Sequence, residues 1–290
     1  MTFGITGNTT KDRLKEVVPD LLRWLQQKNI AYILDSELHK FLKLDQSEQN
    51  GKLEAIALTS DMILAFGGDG TFLSAARAVG ASNVPILGIN LGRMGFLAEV
   101  TVDEIYESLE DILNGKYIIL ERMVIEAVIH QKDWSRSFYA LNDIVIDRGG
   151  FSRVFRIDVF IDQGLLNTYL GDGLIIATPT GSTAYSLSAH GPIVDPTVNC
   201  IIINPICPHS LSVRPVVIPD DSTIRIVPHV EGKIITMSVD GQVSQQFSRE
   251  NGAEITVRKA NHKIRWIRHS KRTFYDLLRT KFSWGIDKRM

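Results

Sequence analysis

The apolar run Met62-Ile63-Leu64 leads into Ala65-Phe66-Gly67-Gly68-Asp69-Gly70-Thr71, where three glycines surround one carboxylate. Glycine permits positive φ and lets a ligand approach the backbone closely. The helical pattern Thr71-Phe72-Leu73-Ser74-Ala75-Ala76-Arg77 begins at once, and the N–H groups and dipole at a helix start favour phosphate. Asp69 sets a negative charge in a place otherwise suited to anions. This combination points to chemistry on a phosphorylated molecule, with the carboxylate taking a proton or holding a metal. The same residue types also make an ordinary tight turn, so the surrounding chain must decide.

The elements around the turn put it at a sheet edge. Residues 3–6 read as a strand. Leu14, Val17, Leu21 and Leu25 recur at helical spacing, and Pro19 is expected to kink or divide that helix. Residues 30–34, 62–66 and 85–89 read as further strands and 72–79 as a helix. The alternation predicts a mostly parallel sheet with helices on its faces. Ligands of such sheets bind beyond the carboxyl ends of the strands. Asp69 falls at such an end, and so does a second glycine-bearing loop, Asn90-Leu91-Gly92-Arg93-Met94-Gly95-Phe96. Thr101 and Glu104 form a capping box for a helix with apolar Ile105, Leu109, Ile112 and Leu113, which Gly115 can end.

The pattern then changes. Residues 117–130, 137–146, 154–161, 174–177, 201–204, 216–218, 223–227, 234–239, 255–258 and 263–267 read as strands separated by turn residues. They predict a second, all-β domain built as a sandwich, interrupted by one helix over 182–189. The domain boundary is expected at 100–116. A final helix over 273–282 shows apolar Phe274, Leu277, Leu278 and Phe282 and needs a partner surface, assigned here to the first domain.

At 290 residues the chain has room for two domains. An apolar fraction of 44% with 22% charged residues describes a soluble globular protein. A net charge of −1 gives no overall preference for nucleic acid or membrane. Residues 258–290 carry eleven Lys/Arg against two Asp/Glu, a segment suited to phosphate or polyanion contact or to a solvated face. Trp266, Phe274, Tyr275, Phe282 and Trp284 among those charges argue for packing rather than disorder. Cys200 and Cys207 are too few for a disulfide framework. With His209 they lack a fourth partner at zinc spacing, and so few cysteines fit a reducing compartment. The first residues lack the basic start and apolar core of a signal peptide. No apolar run approaches the ~18 residues that cross a bilayer.

Phe66-Gly67-Gly68-Asp69-Gly70-Thr71 followed by Gly88-Ile89-Asn90-Leu91-Gly92-Arg93-Met94-Gly95-Phe96-Leu97 resembles the N-terminal domain of the NAD kinase family. Three further stretches are similar to that family. They are Leu141-Asn142-Asp143; the run from Gly171-Asp172-Gly173 through Thr178-Pro179-Thr180-Gly181-Ser182-Thr183-Ala184-Tyr185-Ser186-Leu187-Ser188; and Pro208-His209-Ser210-Leu211-Ser212-Val213-Arg214-Pro215. The long central run is the most specific, while the first 60 residues are generic.

The resemblance implies ATP-dependent phosphorylation of the 2′-hydroxyl of NAD's adenosine ribose, giving NADP. It implies an α/β Rossmann-like domain over 1–105, a β-sandwich over 116–268 and a C-terminal helix and tail over 269–290 packing on the first domain. The site is expected between the domains, where Asp69, Asn142, Asp143 and Tyr185 would converge. Mg²⁺ or another divalent cation is expected with ATP. The resemblance also implies a cytoplasmic homo-oligomer, a dimer or tetramer, without nucleic-acid or membrane partners.

Carried over residue by residue, Asp69 corresponds to the catalytic base, which makes a ribose hydroxyl nucleophilic by taking its proton. Gly67, Gly68, Gly70 and Thr71 would face the ATP phosphates, and Gly70 and Phe96 would also approach NAD. Asn142 and Asp143 correspond to the pair gripping the adenosine end, and Asp172 to the aspartate near the nicotinamide half. Thr183, Ala184, Tyr185 and Ser188 correspond to NAD-lining residues, with Ser182, Tyr185 and Ser188 recurring every third position. No dedicated magnesium cage is visible, as expected when phosphates supply much of the coordination. His190 departs from the glycine expected in many relatives. His209 and Arg214 read mainly as structural or interface residues.

Other readings share the first turn. A lipid kinase of the diacylglycerol or sphingosine type would carry an Asn-Asp-bearing glycine loop soon after it, where this chain has Leu91-Gly92-Arg93-Met94-Gly95. A phosphofructokinase would show two doubly wound halves. A dinucleotide sensor without turnover has no use for a carboxylate at Asp69.

Overall fold

Strands buried on both faces read as unbroken apolar runs, and β4 (Met62–Gly67), with all six residues buried, is such a run. The computed structural model describes residues 1–45, 47–92, 94–148, 155–229, 234–248, 252–268 and 272–284. Arg93 of the second glycine loop, Val154 at the head of an expected strand, and 269–271 and 285–290 of the C-terminal segment lie outside these. The chain forms two compact units, residues 1–121 with 264–290, and residues 122–263.

The first unit runs β1 (Thr2–Gly7), α1 (Leu14–Gln27), β2 (Ala31–Asp35), α2 (Ser36–Leu42), β3 (Asn50–Gly51), α3 (Leu53–Thr59), β4, α4 (Asp69–Val79), β5 (Ile86–Asn90), β6 (Val100–Thr101) and α5 (Ile105–Leu113). Its parallel strands stand in the order β5-β4-β1-β2-β3. Winding therefore reverses between β1 and β4, and a crevice opens beyond the strand ends at such a point. There the Asn8 N–H donates to the Phe66 carbonyl at 2.8 Å. Phe3, Ile5, Leu64, Phe66, Leu87 and Ile89 meet Leu14, Val18, Leu21 and Leu25 of α1 in one core.

Pro19 does not divide α1. The carbonyl it leaves without a helical partner belongs to Lys15, which is exposed, so water can satisfy it. The helices α2 and α3 were not expected, since seven residues give little periodicity to read. The capping box of Thr101 and Glu104 is present, and Gly115 ends the following segment at φ +72°.

β7 (Ile118–Gln131) carries the chain into the second unit, followed by β8 (Trp134–Ala140), β9 (Asp143–Asp147), β10 (Phe155–Ile161), β11 (Gly164–Gly171), β12 (Gly173–Ala177) and α6 (Tyr185–Ser188). Then come β13 (Cys200–Ile206), β14 (Val216–Pro219), β15 (Ile224–His229), β16 (Ile235–Val239), β17 (Val243–Phe247) and β18 (Glu254–Arg268). One antiparallel layer holds β11-β10-β15-β18 and the β7–β8 hairpin; the other has the order β14-β13-β12-β9-β16-β17. Phe155, Ile157 and Ile226 of the first layer pack against Ile144, Ile146, Ile176 and Met237 of the second. This is the expected sandwich.

Three boundaries differ from expectation. The strand read over 137–146 is broken by Leu141-Asn142 into β8 and β9, and the two read over 255–258 and 263–267 are one strand, β18. The helix read over 182–189 is a 3₁₀ turn, Thr180–Thr183, and the short α6, separated at Ala184 (φ −96°, ψ −132°). The end of β18 lies in the first unit, where Trp266 pairs in parallel with Ile86. α7 (Phe274–Phe282) follows, capped by Thr273 and Asp276.

Replacing Ile146, fully buried in the sandwich core, by alanine is expected to cost about 2–5 kcal/mol, through lost transfer energy and the cavity left behind. Urea unfolding monitored by circular dichroism measures this directly.

Candidate active site

In the first unit the helix after β4 starts earlier than its apolar pattern suggests. Gly68 is its N-cap and Asp69 its first residue. The Asp69 side chain does not bind its own turn. Its Oδ2 accepts the Phe96 N–H at 2.9 Å, and its Oδ1 accepts those of Leu97 at 2.9 Å and Ala98 at 3.3 Å. A carboxylate offers about four lone-pair positions, so Oδ2 keeps one beyond its bond to Phe96. Gly95 is required by this approach, because a Cβ there would lie 1.9 Å from Asp69 Oδ1. Leu91 N–H donates to the Gly67 carbonyl at 3.0 Å, and Gly92 N–H to Asn90 Oδ1 at 2.7 Å. The two glycine loops are thus one hydrogen-bonded assembly. The Phe96 ring packs at 6.3 Å from Phe274 and 6.1 Å from Phe282 of α7.

In the second unit the chemistry is laid out by β9. Successive strand residues face opposite sides, so Ile144 and Ile146 enter the core while Asp143, Val145 and Asp147 line a cavity of about 310 Å³ on the other face. Asn142, Ala184 and Tyr185 close one side of it, and Ser238, Asp240 and Gly241 the other. The β16 register places Ser238 opposite Val145. Asn204 on the same face donates through Nδ2 to the carbonyls of Ser186 at 2.9 Å and Ala189 at 3.2 Å, which holds α6 over the sheet.

The 141–143 segment is gripped from two directions. Asp240 accepts its N–H groups: Leu141 on Oδ2 at 2.9 Å, and Asn142 and Asp143 on Oδ1 at 2.7 and 3.1 Å. Thr178 takes its carbonyls, donating through its hydroxyl to Leu141 at 2.5 Å and through its N–H to Asn142 at 2.9 Å. Gly181 is needed here because a Cβ would sit 2.0 Å from the Asn142 carbonyl oxygen. Asp143 is only 4% exposed. Burial, reinforced by the neighbouring Asp240 charge, pushes its carboxyl up to about 7, against a bond from the Tyr185 N–H that favours ionisation.

Of the expected site residues, Asn142, Asp143, Ala184 and Tyr185 meet around this cavity. Asp172, Thr183 and Ser188 do not line it. Asp172 is exposed, its N–H bound to the Ile206 carbonyl at 2.9 Å, one residue before Gly173, which pairs with Asp147. The Thr183 hydroxyl donates to the Thr180 carbonyl at 3.2 Å. Ser188 is exposed and Ser182 buried, so the expected Ser182-Tyr185-Ser188 face is not formed; the break at Ala184 rotates its members apart. Asp147, Ser238, Asp240 and Gly241 were missed. The alternation Asp143-Ile144-Val145-Ile146-Asp147 pointed to Asp147, and Asp240-Gly241 carries a turn signal. His190 stands at φ +63°, a left-handed position that glycine adopts freely and histidine tolerates. Arg214 donates to the carbonyls of Leu211 and Val213 at 2.6 and 2.8 Å, a local structural use.

Residues 3–117 match the ATP-NAD kinase N-terminal domain family, and residues 141–269 the ATP-NAD kinase C-terminal domain family. The chain is 42% identical over 283 residues to the NAD kinase of Moorella thermoacetica, covering 98% of this chain and 89% of the relative. It is 40% identical to the NAD kinase of Bacteroides fragilis, with 100% of each chain covered. The crystal structure of yeast NADH kinase complexed with NADH superposes with a TM-score of 0.87 at 29% identity, covering 99% of this chain and 89% of that one. An Archaeoglobus fulgidus NAD kinase in complex with ATP shares the fold, with a TM-score of 0.78 at 24% identity and coverage of 98% and 100%.

The raised Asp143 carboxyl has a signed consequence for stability. Between the ordinary carboxylate value and about 7 the folded chain keeps a proton that the unfolded chain releases. Stability is therefore lost as pH rises through that window, and the loss is complete above it. Asp143→Asn removes this dependence. It is expected to raise stability at pH 8 by at most about 4 kcal/mol while changing little at pH 4; thermal unfolding across pH measures both. His190→Gly is expected to stabilise the fold by up to about 1 kcal/mol by relieving the left-handed conformation, read as a rise in the urea midpoint.

Proposed function

The chain belongs to the NAD kinase family, and from that premise we propose how its two sets of residues divide the work of phosphorylating NAD. The reaction moves the γ-phosphoryl of ATP onto the 2′-hydroxyl of the adenosine ribose, giving NADP and ADP. Phosphoryl transfer asks mainly for positioning and charge neutralisation, and for removal of the hydroxyl proton as the oxygen attacks.

Asp69 takes that proton. The lone pair left on Oδ2 after its bond to the Phe96 N–H supports this role, and three backbone donors hold the carboxylate in one orientation. Gly67, Gly68, Gly70 and Thr71 face the ATP phosphates at the start of α4, where N–H groups and the helix dipole favour anions. Gly70 and Phe96 are the residues of this unit that the proposal assigns to NAD, with the Phe96 ring held by Phe274 and Phe282.

Asn142 and Asp143 grip the adenosine end, with Ala184 and Tyr185 against it. A side-chain amide and a carboxyl match adenine edges and ribose hydroxyls. Asp143 and Asp147 lie four residues apart on one strand face, about 13 Å at ~3.3 Å per residue. A dinucleotide laid along β9 would thus bring its nicotinamide half toward Asp147 and the neighbouring Asp172. Thr183 and Ser188 stand outside the lining of this cavity, on the segment that carries Ala184 and Tyr185, and enter the proposal as neighbours of those residues. The observation that carries this reading is the cavity over β9, whose polar lining includes the Asn142-Asp143 pair that the family resemblance assigns to NAD.

A divalent cation accompanies ATP in this proposal. Among the described residues no group of three or more His, Cys, Asp and Glu could hold a metal ion. Asp69 and Thr71 are the side-chain oxygen donors of the glycine turn, and in this proposal phosphate oxygens would supply most of the cation's coordination. When bound, such a cation neutralises phosphate charge. Among the described residues no helix is long and apolar enough to cross a membrane. A cytoplasmic homo-oligomer completes the reading, with subunit number accessible to analytical ultracentrifugation.

Purified protein is expected to form NADP from NAD, ATP and Mg²⁺ and to leave diacylglycerol and sphingosine unphosphorylated. Asp69→Asn is expected to lower kcat by about 10²–10⁴-fold while NAD still binds. Thermal unfolding of the same variant separates this from loss of the loop anchor. Turnover unchanged in Asp69→Asn would sink the base assignment, and NAD binding without turnover in the wild type would favour a sensor.

A further inference from the structure

We infer that Asp240 is a positioning residue for the acceptor nucleotide, fixing where Asn142 and Asp143 present their side chains by gathering the backbone of 141–143 onto one carboxylate. The inference rests on the reading that NAD binds over β9.

The geometry is reciprocal. Asp240 accepts the N–H groups of Leu141, Asn142 and Asp143 at 2.9, 2.7 and 3.1 Å, and its own N–H donates to the Asp143 carbonyl at 2.9 Å. Bonds to a charged acceptor are roughly twice as strong as neutral ones. These link two segments about a hundred residues apart in sequence, and both segments line the same cavity. Asp240 occupies a left-handed position, φ +50°, directly before Gly241 at φ +63°. The tight turn between β16 and β17 thereby aims the carboxylate back across β9.

Leu141 and Asn142 carry the chain from β8 in one layer of the sandwich to β9 in the other. Their N–H groups leave the ladder at that crossing, and a buried N–H needs a partner. Asp240 is that partner. An apolar residue would leave the donors unpaired, and a carboxamide would face one of them with an N–H₂ group.

The same carboxylate is one of the acidic groups around Asp143. Those facing the cavity are Asp240 on the β16–β17 turn and Asp147 at the far end of β9, with the Tyr185 phenol on α6 the other titratable group there. The Asp240 charge raises the Asp143 carboxyl, so removing it lets Asp143 ionise at lower pH. That midpoint reads the Asp240 charge, and the split of KM for NAD against kcat reads the positioning.

The test compares wild type with Asp240→Asn and Asp240→Ala in the full chain. Steady-state kinetics and calorimetric titration with NAD are run from pH 5.5 to 8.5. Asp240→Asn is expected to raise KM for NAD about tenfold, equivalent to ~1.4 kcal/mol, with KM for ATP within about twofold and kcat changed less than KM for NAD. The midpoint of the pH dependence of NAD binding is expected to fall by roughly one pH unit. A folded Asp240→Asn that binds NAD as tightly as wild type, with the same midpoint, overturns the inference. So does a variant whose kcat falls while KM for NAD holds. Wild type that fails to bind NAD sinks the reading beneath it instead. If neither variant folds, hydrogen exchange on the wild type decides. Protected amides at Leu141, Asn142 and Asp143 that slow further with NAD support the clamp, and exchange at the unprotected rate overturns it.

Discussion

A buried backbone N–H cannot be left without an acceptor, and in each unit an aspartate distant in sequence accepts three neighbouring ones. Asp69 collects the N–H groups of residues 27, 28 and 29 positions ahead of it. Asp240 collects those of residues 97 to 99 positions behind it. In each unit a segment that has left the regular ladder is held by one charged group instead of by a neighbouring strand. The side chains on that segment inherit a fixed position. Asn142 and Asp143 are displayed by such a segment, and Phe96 by the other.

Close approach makes these clamps possible. The Asp69 carboxylate reaches Phe96, Leu97 and Ala98 only because residue 95 has no side chain, and the 3₁₀ turn packs onto Asn142 only because residue 181 has none. Thr178 then finishes the second clamp from the opposite side by taking the carbonyls of Leu141 and Asn142. Donors and acceptors of the same two peptide units are thus both satisfied, which defines the segment more tightly than either set of bonds alone.

One strand serves stability and chemistry together. β9 sends Ile144 and Ile146 into the sandwich core and Asp143 and Asp147 into the cavity. A register slip of one residue would exchange these faces, burying carboxylates in the core and emptying the cavity of polar groups. The core therefore enforces the geometry of the binding face. The burial that anchors Asp143 also raises its carboxyl to about 7, so precise placement comes with a stability penalty at higher pH.

Features built from neighbours in sequence were legible without coordinates. The glycine turn at Asp69, the capping box of Thr101 with Glu104, the parallel first unit and the all-β second one depend on local spacing or on elements in simple alternation. Asn142, Asp143, Ala184 and Tyr185, singled out from the motif Leu141-Asn142-Asp143 and the run around Tyr185, line one cavity. The tertiary structure decided what no local window contains. It passed the chain from one layer to the other at Leu141-Asn142, where Asp240 and Thr178 hold the backbone. It split the 182–189 helix at Ala184 and so removed Ser182 and Ser188 from the expected face. It set the Asp69 carboxylate against the N–H groups of a second loop. In each case hydrogen-bond partners far apart in sequence replaced the local ones, and a propensity of a few tenths of a kcal/mol per residue yields to bonds worth about 1 kcal/mol or more each.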